Sequence, residues 1–310
     1  MAINYIEAAA LFQEACNQQM IAGATSGWME DNIDKKRIKY RGGAEVKIPT
    51  ITTDGLGTYS RTNGYPRGKV ELTYQTKTMT MDRGKQFLLD SADVEESGFI
   101  IEASSLMSDF QRDHVIPEVD SYRYSTIFQN VKNANSSGIK GYTPAASTIL
   151  SKLKYDIASV QEQVGDGVPL VIIMPITISN IFEDSTQLQK HISTTDFTKG
   201  DVTTRIKSLD GEIPIMRVPS ARMKTAYDYF DDESIGDKKN GFAPTADALQ
   251  MNWIICPRSV PLAVSRTDKV KIVENPEDYD GWKVNYRKYH DLWILDKDIS
   301  TIRICTEETT

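Results

Sequence analysis

The chain is poor in cysteine, and the cysteines it has fit neither a disulfide framework nor a zinc site. Cys16, Cys256 and Cys305 are the three cysteines among 310 residues. Their number is odd, and no two of them form the C-x-x-C pair that zinc and redox sites favour. We therefore expect three free thiols in a reducing compartment. Cys256 follows an apolar run and is expected to be a small buried side chain.

Histidine is equally scarce, and the motifs of catalysis are missing. His114, His191 and His290 lack partners at metal-ligand spacing, and there is no H-E-x-x-H. There is also no G-x-S-x-G, and no G-x-G-x-x-G follows a predicted strand. One acidic cluster lacks the spacing of a calcium loop and is predicted to be a solvated loop: Asp228, Asp231, Asp232 and Glu233. We predict that the chain is not an enzyme and expect no catalytic, cofactor-binding or metal-binding residues.

Long apolar runs and an excess of basic residues are also absent. No stretch reaches the about 18 consecutive apolar residues of a membrane span. Residues 1–7 lack the basic region and cleavage site of a signal peptide, so we expect the protein to stay in the cytosol, with no membrane partner. Lys and Arg number 36 against 43 Asp and Glu, a net charge of −7. That balance argues against a protein that binds nucleic acid through a basic surface.

Residues 44–81 carry the strongest pattern that is present. Residues 44–51 (AEVKIPTI) and 69–81 (KVELTYQTKTMTM) both alternate apolar and polar side chains. Between them lies a tip rich in Gly, Asn and Pro, so the pattern predicts two paired antiparallel strands. Gly64 and Gly68 are separated by three residues, one too few for a phosphate-binding loop, which favours a hairpin tip. An isolated two-stranded ribbon is only marginally stable, so this one is predicted to reach across another subunit.

The segments on either side of this ribbon are predicted to be an arm and a long helix. Residues 3–21 predict an amphipathic helix and 22–43 an irregular stretch, so the whole of 1–43 is predicted to be an arm. Residues 93–131 predict a long helix whose apolar stripe begins with Phe99, Ala103, Leu106 and Phe110. Pro117 lies inside this helix and is expected to kink or interrupt it.

Residues 145–255 predict a compact α/β unit. The periodicity indicates helices at 149–164 and 177–188, and strands at 168–174, 212–219 and 249–255. The first of these strands is continuously apolar, as expected for a strand buried on both faces.

The rest of the chain is predicted to be loops and a second sheet. The polar stretches 191–210 and 226–247 are expected to be loops. Strands predicted at 269–273, 282–289 and 302–304 are expected to pair into a sheet beneath the long helix.

The order of these parts resembles the major capsid proteins of tailed bacteriophages with the Hong Kong 97-type fold. Local stretches similar to that family are 43–49 (GAEVKIP), 70–72 (VEL) with 81–84 (MDRG), and 209–215 (LDGEIPI). The resemblance covers essentially the whole chain, and it rests on the order and spacing of the parts more than on any one motif.

The resemblance implies an α+β fold of five parts. These are an N-arm (1–43), an extended β-hairpin loop (44–85), a peripheral domain (86–144 and 256–310) with a spine helix at 93–131, and an axial α/β domain (145–255). It implies pentamers and hexamers that form an icosahedral shell around double-stranded DNA, assembled in the bacterial cytoplasm and found in the virion.

The resemblance also implies partners. A portal and possibly a decoration protein are expected, and DNA is contacted only non-specifically. The ribbon begins too early to leave room for an internal scaffolding segment, so either a separate scaffolding protein exists or the chain is a processed form; Met1 favours a separate scaffolding protein. Alternatives left open are an encapsulin-like nanocompartment shell, or an α/β ligand-binding protein or enzyme that uses residues 145–255.

The ribbon supplies the candidate contacts between subunits. Val70, Leu72 and Tyr74 alternate along one strand and are expected to pack onto a neighbour. The cations of the tip, Arg61, Arg67 and Lys69, are expected to meet acidic groups across the interface, and Tyr65 is a further candidate contact residue. Some relatives form Lys–Asn cross-links between subunits; Lys69 and Lys77 are possible donors, but no pattern in the sequence identifies that chemistry.

Overall fold

The computed structural model describes most of the chain in nine segments. These are residues 23–32, 45–62, 64–90, 106–134, 136–185, 192–199, 202–230, 241–274 and 281–308. The predicted helix at 3–21, together with Phe99 and Ala103, lies outside the described residues.

A seven-stranded mixed sheet forms the larger half of the molecule. Its strand order is β4-β14-β11-β5-β8-β7-β6. The strands are β4 (Ile139–Gly141), β5 (Leu170–Pro175), β6 (Ile192–Lys199), β7 (Val202–Leu209), β8 (Ile213–Val218), β11 (Met251–Pro257) and β14 (Arg303–Thr306). β5 and β8 are parallel, as are β14 and β4, and the other neighbours are antiparallel.

Both faces of this sheet are covered because its central strands are apolar on both sides. In β5, Ile172 and Met174 pack against the helices α2 (Ile149–Val164) and α3 (Ile176–Glu183). Val171 and Ile173 point the other way, into a second cluster. The predicted buried strand and the helix at 149–164 are therefore confirmed, and the second predicted helix ends earlier, at Glu183.

A three-stranded antiparallel sheet forms the smaller half, in the order β12-β13-β3. The strands are β3 (Met81–Asp90), β12 (Leu262–Glu274) and β13 (Gly281–Trp293). A separate hairpin pairs β9 (Tyr227–Phe230) with β10 (Gly241–Pro244).

One long helix joins the two sheets. The chain is helical from residue 106, passes through a π-helical turn at Gln111–Val115, and continues as α1 (Ile116–Ala134). The start of α1 packs on the three-stranded sheet through Ile116 and Val119. Its later part packs on the seven-stranded sheet, in the cluster that contains Ile127 and Val131. The helix therefore acts as a spine between the two sheets.

Pro117 lies inside this helix without ending it, and the expected disturbance takes the form of a change in helix type. The π-helical turn lies directly before it, and the N–H of Ile116 donates to the carbonyl of Gln111, five residues back. Proline cannot donate an N–H to the helix and its ring crowds the preceding turn. The π-helical turn directly before Pro117 accommodates the missing N–H and the bulk of the proline ring.

Three other predictions about secondary structure were wrong. The stretch 191–210 contains the hairpin of β6 and β7, and 226–247 contains β9 and β10. These segments are polar because they form edges and hairpins, where one face of a strand can meet solvent. The final strand, β14, pairs with β11 in the seven-stranded sheet and not beneath the helix with β12 and β13. The division into domains stays a prediction.

The ribbon is present as a hairpin of β1 (Glu45–Thr53) and β2 (Val70–Thr78). Nine residue pairs keep one register from Glu45 opposite Thr78 to Thr53 opposite Val70. The strand predicted to run from 69 to 81 is divided at Met79 and Thr80, because β3 starts at Met81 and joins the three-stranded sheet.

Candidate assembly surface

The base of the ribbon is anchored to the body of the molecule. Val46 and Ile48 lie on one face of β1 and are buried together with Met79. They pack in one cluster with residues of β12, β13 and the following loop: Leu262, Val264, Trp293 and Leu295. The base of the ribbon is therefore not an isolated pair of strands, contrary to what the sequence pattern indicated. Near the base Lys77 also lies 3.5 Å from the Asp296 carboxylate.

The opposite face of the ribbon is apolar and uncovered. Directly opposed residues of an antiparallel pair share a face, so Ile51 lies beside Leu72, with Val70 and Tyr74 on the same side. Their exposed fractions are 64% for Ile51, 51% for Leu72, 71% for Val70 and 60% for Tyr74. No described part of the chain covers this stripe. A row of large exposed apolar side chains on a projecting element is typical of a protein–protein contact.

The tip of the ribbon is a compact turn. Ser60 and Gly64 exchange backbone hydrogen bonds of 3.1 and 2.8 Å, and Gly64 has a φ of 76°, a conformation that favours glycine. The rings of Tyr59 and Tyr65 pack 5.1 Å apart and are both exposed. The segment leads from strand to strand without a helix, so it lacks the helix N-terminus on which a phosphate loop depends.

The cations predicted at the tip fall into two groups. The Lys69 ammonium lies 3.2 Å from the Glu71 carboxylate, and its backbone N–H donates to Asp54 at 2.7 Å. Arg61 and Arg67 are exposed, and neither makes an ion pair or hydrogen bond with another residue of the described segments. That Arg61 and Arg67 meet acidic groups of a neighbouring subunit stays a prediction.

The predicted core of the spine helix is described only in its second half. Leu106 and Phe110 are half-buried. The Phe110 ring lies 5.0 Å from the ring of Phe87 and 5.8 Å from that of Tyr286. The helix therefore packs on the three-stranded sheet at this point.

A second polar anchor lies on α1, and no pattern in the sequence predicts it. Asp120 on α1 is fully buried, and its carboxylate accepts hydrogen bonds from the N-terminal segment. The N–H and hydroxyl of Thr25 donate at 3.1 and 2.8 Å, and those of Ser26 at 3.0 and 2.6 Å. Arg222 adds an ion pair at 3.0 Å. One carboxylate thus fixes residues 25–26 to the spine helix.

The neighbouring Arg123 extends this anchor. Its guanidinium is buried, donates to the carbonyl and hydroxyl oxygens of Ser26 at 3.3 and 3.2 Å, and forms an ion pair with Glu30. Burial alone would raise the pKa of Glu30, but the charges of Arg123 and Lys288 outweigh it and hold that pKa below its ordinary value.

The N-terminal segment is also inserted between distant parts of the fold. Trp28 is fully buried, 6.3 Å from the ring of Phe197 on β6. The Asn32 amide donates to the carbonyls of Arg258 and Pro261 at 2.7 and 2.8 Å. Within residues 23–32 the predicted arm is therefore packed into the body of the molecule.

Among the described residues, no group of three or more His, Cys, Asp or Glu side chains is placed to hold a metal ion. His114 is exposed on the π-helical turn. His290 is buried in β13, where burial and nearby cations lower its pKa well below the ordinary value. Cys256 is a free buried thiol, as expected, and burial raises its pKa to about 12. Of the predicted acidic cluster only Asp228, which is exposed, lies within the described residues.

A search of the described segments finds no helix that combines the length and apolar character needed to cross a membrane.

Comparison with solved structures identifies the fold. The capsid of cyanophage P-SCSP1u aligns with a TM-score of 0.56 and 9% identity over 88% of this chain and 86% of that one. The mature capsid of bacteriophage PhiM1 aligns at 0.54 and 11%, over 86% and 83%. A structure from Microbacterium phage Oxtober96 aligns at 0.51 and 12%, over 89% and 90%.

The chain has the fold of a phage capsid subunit. The expected α+β, Hong-Kong-97-like architecture is confirmed by these alignments, which span most of each chain. No protein-family model matches the sequence, and no curated protein matches it. The likeness is therefore one of architecture at low sequence identity.

Proposed function

We propose that the chain is the major capsid protein of a tailed bacteriophage. Copies associate into pentamers and hexamers, which build an icosahedral shell around double-stranded DNA. The observation that carries this proposal is the ribbon. On a fold shared with phage capsids, it projects an apolar face that no described part of the same chain covers.

In this proposal the ribbon acts as a clamp between subunits. Its base is held in the parent subunit by Val46 and Ile48, so the exposed face keeps a defined direction. The face of Val70, Leu72 and Tyr74 packs on the neighbour and loses water there. A contact between two different surfaces generates a ring when the rotation closes. Stable association of this kind buries roughly 1,600 Å² per interface.

The proposed partners follow from the same role. A separate scaffolding protein, a portal and a decoration protein are proposed to act with the shell, which assembles in the bacterial cytoplasm and remains in the virion. The shell itself is proposed to be structural and not enzymatic. DNA is enclosed without sequence-specific contacts.

The alternatives have less support. A ligand-binding protein or enzyme based on residues 145–255 predicts a pocket within that unit. A groove of about 630 Å³ lies between the long helix and the three-stranded sheet, and it is lined mainly by residues outside that range, such as Arg83, Phe110 and Lys288. An encapsulin-like shell shares the architecture, and no feature of the described residues favours it over the phage capsid.

The proposal is tested by the size and shape of the purified particle. Size-exclusion chromatography with light scattering is expected to show megadalton assemblies, and electron microscopy is expected to show closed shells. Replacing residues 55–68 with an Asn-Gly turn removes the tip and leaves Asp54 directly opposite Lys69, so β1 and β2 keep their register. This variant is expected to fold but to form no shells. Shells of normal size from the variant would show that the tip is not needed as a clamp, and a monomeric wild-type protein would overturn the capsid proposal.

A further inference from the structure

The face of the three-stranded sheet that points away from the long helix is only partly covered. Val270, Val284 and Tyr286 pack toward the helix. Side chains alternate along a strand, so the odd-numbered residues of β13, and those of β12 from Thr267 onward, lie on the opposite face. The ribbon base covers one end of that opposite face, where Tyr289 contacts it.

The rest of this face is formed by three rows of directly opposed residues, here called the basic sheet face. The rows are Lys269, Arg287 and Gly84; Lys271, Asn285 and Gln86; and Val273, Lys283 and Leu88. Together they hold four cationic side chains and no carboxylate. In the adjoining row Asp82 pairs with Arg287 at 2.8 Å.

Two of the four cations on this face have no carboxylate partner among the described residues. Lys269 lies directly opposite Arg287, an arrangement of like charges that destabilises a sheet. Lys269 and Lys271 are exposed, and neither makes an ion pair with a carboxylate in the described part of the chain. The chain as a whole has the opposite sign, with 43 acidic and 36 basic residues. A concentrated positive patch on an acidic protein is suited to an anionic partner.

We propose that the basic sheet face docks a carboxylate-rich surface of a second copy of this chain. The inference rests on the proposed function, which brings copies into contact at high local concentration. Each copy carries seven more acidic than basic residues, so it offers the complementary charge in excess. The same excess of negative charge repels DNA, which makes nucleic acid the weaker candidate for this face.

Two further features favour a protein partner. Leu88, at the end of the face farthest from Tyr289, is 50% exposed and offers an apolar contact among the charges. The ribbon base lies on this same side of the sheet, so an incoming subunit that engages the ribbon also passes close to the basic sheet face. Charges around an apolar contact mainly steer the encounter and fix its orientation.

The test is charge reversal of the two exposed lysines in the full-length chain. The double variant Lys269→Glu/Lys271→Glu is expected to fold but to assemble about tenfold more slowly than wild type, because the reversed charges repel the carboxylate-rich surface of the incoming copy. The neutral variant Lys269→Gln/Lys271→Gln is expected to fall between them. Lys140→Glu reverses one exposed lysine on β4 and is the control for the single variant Lys271→Glu, with assembly at the wild-type rate. Assembly is followed by light scattering and folding by circular dichroism.

The outcomes separate this inference from the proposed function. Wild-type protein that never forms large assemblies overturns both. Wild-type shells with equally fast assembly of the charge-reversed variant overturn only this inference, as do shells whose assembly rate is insensitive to salt. Binding of a short DNA duplex, measured by fluorescence anisotropy, supplies the remaining comparison. If the charge-reversed variant assembles normally and loses only duplex binding, the face belongs to nucleic acid and the inference is wrong.

Discussion

The exposed apolar stripe of the ribbon allows a quantitative test of its role. The perturbation is the double variant Ile51→Ala/Leu72→Ala, which shortens two directly opposed side chains on the uncovered face. Both side chains are more than half exposed, at 64% and 51%, so neither contributes much to packing within the subunit. The variant is therefore expected to unfold at the wild-type temperature and denaturant concentration.

The expected effect on association follows from the surface available to a partner. Full burial of a Leu or Ile side chain is worth about 1.5–3 kcal/mol. Half to two-thirds of each side chain remains to be buried, and Ala retains part of it, so each substitution removes about 1 kcal/mol. Two substitutions then weaken each ribbon contact by about 2 kcal/mol, which is roughly a thirtyfold change in its equilibrium constant.

The assay is the lowest protein concentration at which large assemblies appear, followed by light scattering and checked by electron microscopy. This concentration is expected to rise by at least about tenfold for Ile51→Ala/Leu72→Ala. The matched control is Thr52→Ala/Glu71→Gln, another directly opposed pair on the other face of the same strands, with no change expected. Equal assembly of both variants, or a larger effect of the control, would refute the assignment of the apolar face to the contact.

Three further predictions concern the anchors inside the subunit. Asp120→Ala leaves five donated hydrogen bonds without their acceptor and is expected to lower the free energy of urea-induced unfolding by about 3–5 kcal/mol. A loss below about 1 kcal/mol would show that the Asp120 carboxylate does not anchor residues 25–26 to the spine helix. The pKa of Glu30 is lowered on folding, so its contribution is complete above the unfolded pKa and is lost as pH falls. Glu30→Gln is thus expected to be less stable than wild type at neutral pH, with the difference shrinking below about pH 4.5; a constant difference would count against the ion pair. His290 has a lowered pKa and is buried without charge, so wild-type stability is expected to decline as pH falls below about 6.5, and His290→Gln is expected to decline less; parallel pH profiles would rule this out.

The sequence predicted those parts of the fold that depend on local periodicity. The apolar run at 170–174 and the stripe at 149–164 report burial residue by residue, so β5 and α2 could be placed. The hairpin of β6 and β7 was missed because its residues, such as Ser193 and Thr194, are polar where a strand face meets solvent. The pairing of β14 with β11 was missed because it joins residues about fifty positions apart, which no local pattern encodes.

The candidate surface was likewise predictable only where a local sequence pattern reports it. Alternation along β2 was enough to place Val70, Leu72 and Tyr74 on one face. Asp120 gave no signal, because a single Asp in a helix does not reveal that its hydrogen-bond partners lie about 95 residues earlier. The anchoring of the ribbon base was missed for a similar reason, since Val46 meets β12 and β13 only in the folded chain.

The N-terminal segment has a consequence for the order of folding. Residues 23–32 pack against parts of the chain that are synthesised much later, since the Asn32 amide donates to the carbonyl of Arg258, 226 positions further on. Trp28 likewise packs against Phe197 of β6, and Glu30 interacts electrostatically with Lys288 of β13. Contacts over such separations form late because a long loop must close first. Residues 23–32 are therefore fixed in place only after β13 has been synthesised, so their burial indicates that β6 and β13 have already folded.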